Sequence, residues 1–152
     1  MKDSKNSFTY TTLYRGPEGI DLGAYRPGVF ALEKEWDPYD PYLIESRPFR
    51  SEGSTAIVLA CDEEKVIAFG TVDKEGQEAN LYSAFVSKPY RRQGIYKRLV
   101  GERVEIARQM GVEKVTLNAI DTNMAKDWLI EYGFSVVGSS NNGHVDFEMA
   151  FQ

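Results

Sequence analysis

Arg91-Arg92-Gln93-Gly94, with Lys97 close behind, gathers two guanidiniums, an ammonium and a glycine. Those types at that spacing suit an anion, phosphate above all. The cations supply charge, and a glycine lets a ligand approach the main chain closely. The chemistry works best where a helix begins, because first-turn N–H groups have no intrahelical partner and the helix dipole is positive there. Residues 88 to 108 hold seven Lys/Arg against two Glu, a net of +5 inside a chain of net −5, so the rest carries −10. A solvated helix face would also carry such charges. A strand, the arginines, the glycine and a helix in one unit favour a phosphate-bearing ligand.

The elements that must position this turn are legible on either side. Leu81 to Val86 is apolar and aromatic and ends at Ser87-Lys88-Pro89, which predicts a strand. Ile95, Leu99, Val100, Val104, Ala107 and Met110 recur near the helical period, and Gly111 supplies the stop. Downstream the pattern predicts a strand over 114–119, a helix over 123–132, and strands over 135–138 and 144–151. Upstream, 8–15 is rich in Thr and aromatics and reads as the first strand. Val29, Leu32 and Trp36 form one face of a short helix in a region interrupted by Pro27-Gly28. Residues 54–61 and 65–72 read as a hairpin, and 73–77 as the turn into the central strand. The order predicts a single α+β domain over 1–152 with a mostly antiparallel sheet.

Composition narrows the class. With 42 % hydrophobic and 12 % aromatic residues in 152, the chain is globular and can bury a core. A pI near 5.0 argues against nucleic acid as the main partner. No apolar run approaches a membrane span, and Met1 to Asn6 has no apolar signal core behind it, so a cytoplasmic location is the default. Cys61 is the only cysteine and lies in an apolar run, which reads as core rather than nucleophile. There is neither a G-x-G-x-x-G after a strand nor a P-loop pattern.

Taken in order, these segments resemble the GNAT superfamily of acyl-CoA N-acyltransferases. Arg91-Arg92-Gln93-Gly94-Ile95-Tyr96 is similar to its Arg/Gln-x-x-Gly-x-Gly/Ala signature. Val86-Ser87-Lys88-Pro89-Tyr90 matches the usual approach, Gly111 to Leu117 looks like the next strand, and Glu131-Tyr132-Gly133-Phe134 resembles the helix ending in Gly-Phe. The resemblance covers about residues 56 to 150. It implies a mixed sheet of six to seven strands, helices on both faces, and a splayed central strand pair that admits the pantetheine arm. It implies acetyl-CoA as cosubstrate, no metal, a small-molecule primary amine as acceptor, direct attack in a ternary complex, and a homodimer as the analogous assembly. The acyl-CoA unit is then 80–111, with Phe85, Val86, Arg91, Arg92, Gln93, Gly94, Ile95, Tyr96 and Lys97, joined by Asn118, Asn123 and Lys126. The variable acceptor region is 20–52, where Trp36, Asp37, Tyr39 and Asp40 offer aromatic faces and carboxylates to an ammonium group. Its alternative is a surface loop whose aromatics cap the core. Two positions depart from the family: Tyr96 replaces a small residue, and Leu129 stands where a Tyr is often the acid.

The base is read from alternation. Glu78, Asn80 and Tyr82 share one face of the central strand if no bulge intervenes. Glu78 would accept the proton through a water, with Asn80 and Tyr82 orienting water or acceptor; the alternative is a solvated Glu at the strand's start. Tyr132 and Tyr96 are fallback acids, and His144 reads as an exposed strand residue. Two other functions stay open: an acyl-CoA-binding sensor with little turnover, and an acetyltransferase for protein or peptide amines.

Overall fold

A computed structural model describes residues 7–39, 50–120, 123–139 and 143–151. The strands are β1 (Thr9–Gly16), β2 (Gly19–Ile20), β3 (Ala56–Asp62), β4 (Lys65–Glu75), β5 (Glu78–Leu81), β6 (Ala84–Val86), β7 (Lys114–Ile120), β8 (Ser135–Ser139) and β9 (His144–Ala150). The helices are α1 (Arg26–Trp36), α2 (Ile95–Gln109) and α3 (Asn123–Tyr132). The strands form one nine-stranded sheet in the order β2-β1-β3-β4-β5-β7-β9-β8, with β6 also on β4. Every pairing is antiparallel except β5 with β7.

The strand count exceeds the expected six or seven for two reasons. A two-residue strand closes the first turn, and the central strand is broken into β5 and β6. The break is a bulge. Asp73 pairs Asn80 on one side of it, whereas Gly70 pairs Ala84 on the other. One residue is therefore extra, and Tyr82 and Ser83 together oppose Thr71. β4 also runs three residues further than the sequence pattern predicts, so Asp73 lies in a strand and the turn shrinks to Gly76-Gln77.

Two apolar layers sandwich the sheet. Val29 and Leu32 of α1 pack with Ile57, Leu59 and Phe69 on one face. Leu99, Val100, Val104 and Ala107 of α2 pack with Ala68, Val72, Ala79, Leu81 and Val115 on the other. Leu129 and Phe134 join this second layer, placing α3 beside α2. Pro27 lies in the first turn of α1, where its missing N–H costs nothing, so it starts the helix rather than interrupting it. Gly28 brings α1 against the sheet: a Cβ there would lie 2.8 Å from the Val66 side chain. Cys61 is buried, and burial pushes its thiol up, in keeping with a core role.

Candidate active site

The helix α2 begins at Gly94, whose φ of +82° belongs to the left-handed region that glycine occupies without strain. Among the described residues nothing lies within 4 Å of a Cβ built there, so they leave the space before the helix open. Arg92 also has positive φ, at 64°. The first α2 bond runs from the Arg98 N–H to the Gly94 carbonyl, which leaves the Ile95, Tyr96 and Lys97 amides ahead of the helical ladder. Among the described residues no side chain caps this end.

The approach to the turn is tied down from two sides. Glu35 of α1 accepts from Ser87 Oγ at 2.8 Å and from the Lys88 N–H at 2.9 Å. Tyr90 Oη donates to Asp62 Oδ2 at 2.9 Å.

The side chains of the signature divide in three. Arg91 donates from Nε to the Val86 carbonyl at 2.9 Å and lies 5.3 Å from the Phe85 ring, so it fastens the turn to β6. Ile95 and Tyr96 turn inward to the core, and burial pushes the Tyr96 phenol up, with Arg103 opposing. The Tyr at the position usually held by a small residue therefore faces away from the open side. Arg92 and Lys97 remain exposed, while Gln93 turns back to the Pro89 carbonyl at 3.5 Å. Lys97 lies 5.5 Å from the Trp128 ring of α3, and Lys126 is half-buried on the same helix.

The sheet parts beyond this turn. β5 and β7 pair from Glu78 and Lys114 as far as Leu81 and Leu117. Past that rung β6 stays with β4 while β7 stays with β9, and a gap opens between them. Thr71 N donates to the Ser83 carbonyl and Ser87 N to the Ile67 carbonyl. By alternation Phe85 is the bonded residue between them, so Ala84 and Val86 direct their amides into the gap. Of the expected pair Phe85 and Val86, only Val86 offers its N–H there. Ala84 takes the other place.

On the α1 side the bulge borders a cleft of about 350 Å³ lined by Gly53, Ser54, Asp73, Tyr82 and Ser83. Trp36 stacks on Phe85, centroids 5.8 Å apart and planes within 13°, and Phe85 follows Ser83 of the cleft by two residues. The Tyr82 phenol is held above its ordinary value by burial first, then by the carboxylates of Glu75, Asp73 and Glu78.

Other expected residues fall elsewhere. Glu78 opens β5 beside the hairpin turn, paired with Glu75 and four residues along the chain from Tyr82, on whose phenol its carboxylate has the smallest effect of the three. The Asn80 side chain is 7 % exposed and occupied, donating to Glu75 Oε1 at 2.9 Å and accepting from the Thr116 hydroxyl. Asn118 donates to Asp146 across β7 and β9 at 2.6 Å. Asp37 ends α1 and accepts from the Tyr39 N–H, and Tyr39 is 91 % exposed. Asp40 and the Asn123 side chain lie outside the described residues and side chains. Leu129 is fully buried, and Tyr132 stacks between Trp128 and Phe134. The residues missed in the sequence are Asp73, Ser83, Ser54 and Ala84. Their one available signal was the extra residue between two strand patterns.

A mixed sheet whose central pair parts beside an uncapped basic helix start defines an acyl-CoA N-acyltransferase fold. The chain belongs to the acetyltransferase (GNAT) family, whose model matches residues 22–134. No curated protein matches it significantly in sequence. The fold is similar to that of an acyl-CoA N-acyltransferase from Pseudomonas aeruginosa, with TM-score 0.73 and 16 % identity over 95 % of this chain and 100 % of the other. It is also similar to the ribosomal-protein-S18-alanine N-acetyltransferase of Escherichia coli, at 0.66 and 18 % over 93 % and 94 %. The PaiA N-acetyltransferase of Thermoplasma acidophilum, solved with coenzyme A, aligns at 0.63 and 15 % over 94 % and 99 %.

Proposed function

We propose that the chain transfers an acetyl group from acetyl-CoA to the primary amine of a small molecule by direct attack in a ternary complex. The observation that carries this reading is the bulge at Tyr82-Ser83, which borders the gap and the cleft at once. The pyrophosphate is read onto the Ile95, Tyr96 and Lys97 amides, with Arg92 and Lys97 adding charge. The pantetheine arm then follows the gap, and the Ala84 or Val86 N–H polarises the thioester carbonyl. The amine enters through the cleft, against Trp36. Asp73 pairs with its ammonium form; once that ammonium has lost a proton to solvent the neutral amine attacks, and Asp73 accepts the second proton that the nitrogen sheds from the tetrahedral adduct. Tyr82, kept neutral, orients the acceptor and can donate to the departing thiolate. As the bond from nitrogen to the acyl carbon forms, the carbon–sulfur bond breaks and coenzyme A leaves.

Thiol release from acetyl-CoA, followed with a panel of small amines and with a lysine-containing peptide, tests this. Release with a small amine, lost in Asp73→Asn, is the expected outcome. Release with the peptide alone would shift the acceptor class to proteins. Binding of acetyl-CoA with no release by any amine would favour a sensor, a reading that buried Leu129 at the usual acid position keeps open.

A further inference from the structure

Arg103 is the largest fully buried side chain among the described residues. It projects from the middle of α2 against the sheet. A buried guanidinium is expensive unless its donors are satisfied, and among the described residues no carboxylate pairs with it. Main-chain carbonyls are the partners of Nε and Nη1, while Nη2 is buried with no hydrogen-bond partner among the described residues. Nε donates to Leu99 O at 3.1 Å, and Nη1 donates to both Thr71 O at 3.3 Å and Tyr82 O at 3.1 Å. Thr71 and Tyr82 face each other across the bulge. An extra residue leaves the ladder with an unpaired carbonyl, and the Nη1 fork supplies the missing donor.

Gly70 makes room for this arrangement. A Cβ there would lie 2.8 Å from Nε and 2.9 Å from Cζ, and Gly70 is the direct partner of Ala84. The glycine and the arginine thus form one device on two elements, applied where the strand changes register. An aliphatic side chain from α2 would fill the same layer without a charge to desolvate, so the arginine is explained by what it holds.

We propose that Arg103 is a positioning residue for acyl transfer: its guanidinium pins the Tyr82 peptide so that the Ala84 and Val86 amides stay aimed at the thioester. It acts through the main chain of the bulge and touches no reacting atom. The proposal rests on the acyl-CoA reading above.

The test uses [1-13C]acetyl-CoA bound to the full chain, with the carbonyl stretch read by difference infrared spectroscopy and affinity by calorimetry. Wild type should show a narrow bound band shifted from that of free acetyl-CoA. Arg103→Met should bind within about threefold of wild type, because the pyrophosphate turn is untouched, yet lose that shift. Arg103→Lys should behave as the Met variant, since its ammonium falls one bond short of the Nη1 position and has no counterpart of the Nε that is tied to Leu99 O. Gly70→Ala, which keeps the charge but displaces it, should lose the shift too, and it carries the test if Arg103→Met does not fold. A wild-type band in a folded Met or Gly70→Ala variant overturns the proposal alone. Wild-type protein that binds no acetyl-CoA overturns the acyltransferase reading and this proposal with it.

Discussion

Asp73 and Gly94 are the residues on which the chemistry is most exposed to test. Asp73 lines the cleft beside Tyr82 and Ser83. Asp73→Asn keeps the shape and removes the acceptor for a proton, so turnover should fall by about a hundredfold while acetyl-CoA affinity stays near wild type. Steady-state thiol release beside calorimetry reads both. Glu78→Gln is the comparison: Glu78 has the smallest effect of the three carboxylates acting on Tyr82, so turnover should stay within about threefold of wild type. Gly94→Glu places a negative side chain in the open space before α2 and puts a Cβ at positive φ. The strain should cost about 1 kcal/mol, and acetyl-CoA binding should weaken by far more than the roughly fivefold that such a loss could account for. A Gly94→Glu protein that melts cooperatively and binds as wild type would remove the pyrophosphate assignment. At Tyr82 the sign is set by the environment: burial and three carboxylates disfavour the phenolate, so the group stays protonated through the neutral range and serves as a donor.

At the scale of elements, two side chains link what the sequence separates. Glu35 is the acceptor for Ser87 and Lys88 at the head of the turn that leads into α2. Glu35→Ala leaves both donors to water. It should lower stability by about 1 kcal/mol and weaken acetyl-CoA binding severalfold, seen as a shifted denaturation midpoint and a raised Kd. Arg103 acts in the opposite sense on stability. Burial lowers its pKa to about 10, so charging is disfavoured in the folded state by a few kcal/mol, on the order of what such a shift implies. A base depressed in the folded state bears that cost fully below its folded pKa and sheds it only as pH rises beyond about 10. At pH 7 the whole cost is present. Arg103→Met should therefore unfold no more easily than wild type by urea titration, even as the bulge loses its clamp. The local pattern of α2 was readable from its apolar spacing. The role of Arg103 was not, because on charge alone it counts as one more cation on a basic helix. Gly70, in a different element, is what gives it a buried place.

Over the whole molecule the charge is divided: +5 over residues 88 to 108 and −10 elsewhere. A polyanionic cosubstrate on the basic segment should bind less tightly as salt rises, by about fivefold between roughly 0.05 and 0.5 M. Calorimetry across that range checks it, and a flat response would deny the exposed Arg92 and Lys97 a part in binding. The same comparison of scales separates what was legible in the chain from what was not. The strand, turn and helix from Leu81 to Gly111 could be read from sequence because their signals are local: a period, a proline, a glycine that tolerates positive φ. The α+β class followed from the order of such segments. The cleft and its clamp could not be read this way. Asp73 faces Asn80 and lies beside Tyr82 only because β4 runs on to Glu75, and Ala84 rather than Phe85 offers its amide only because one extra residue shifts the register against Gly70. Register is settled by pairing between strands and by what packs beneath them, so it exists only once the sheet and α2 have come together.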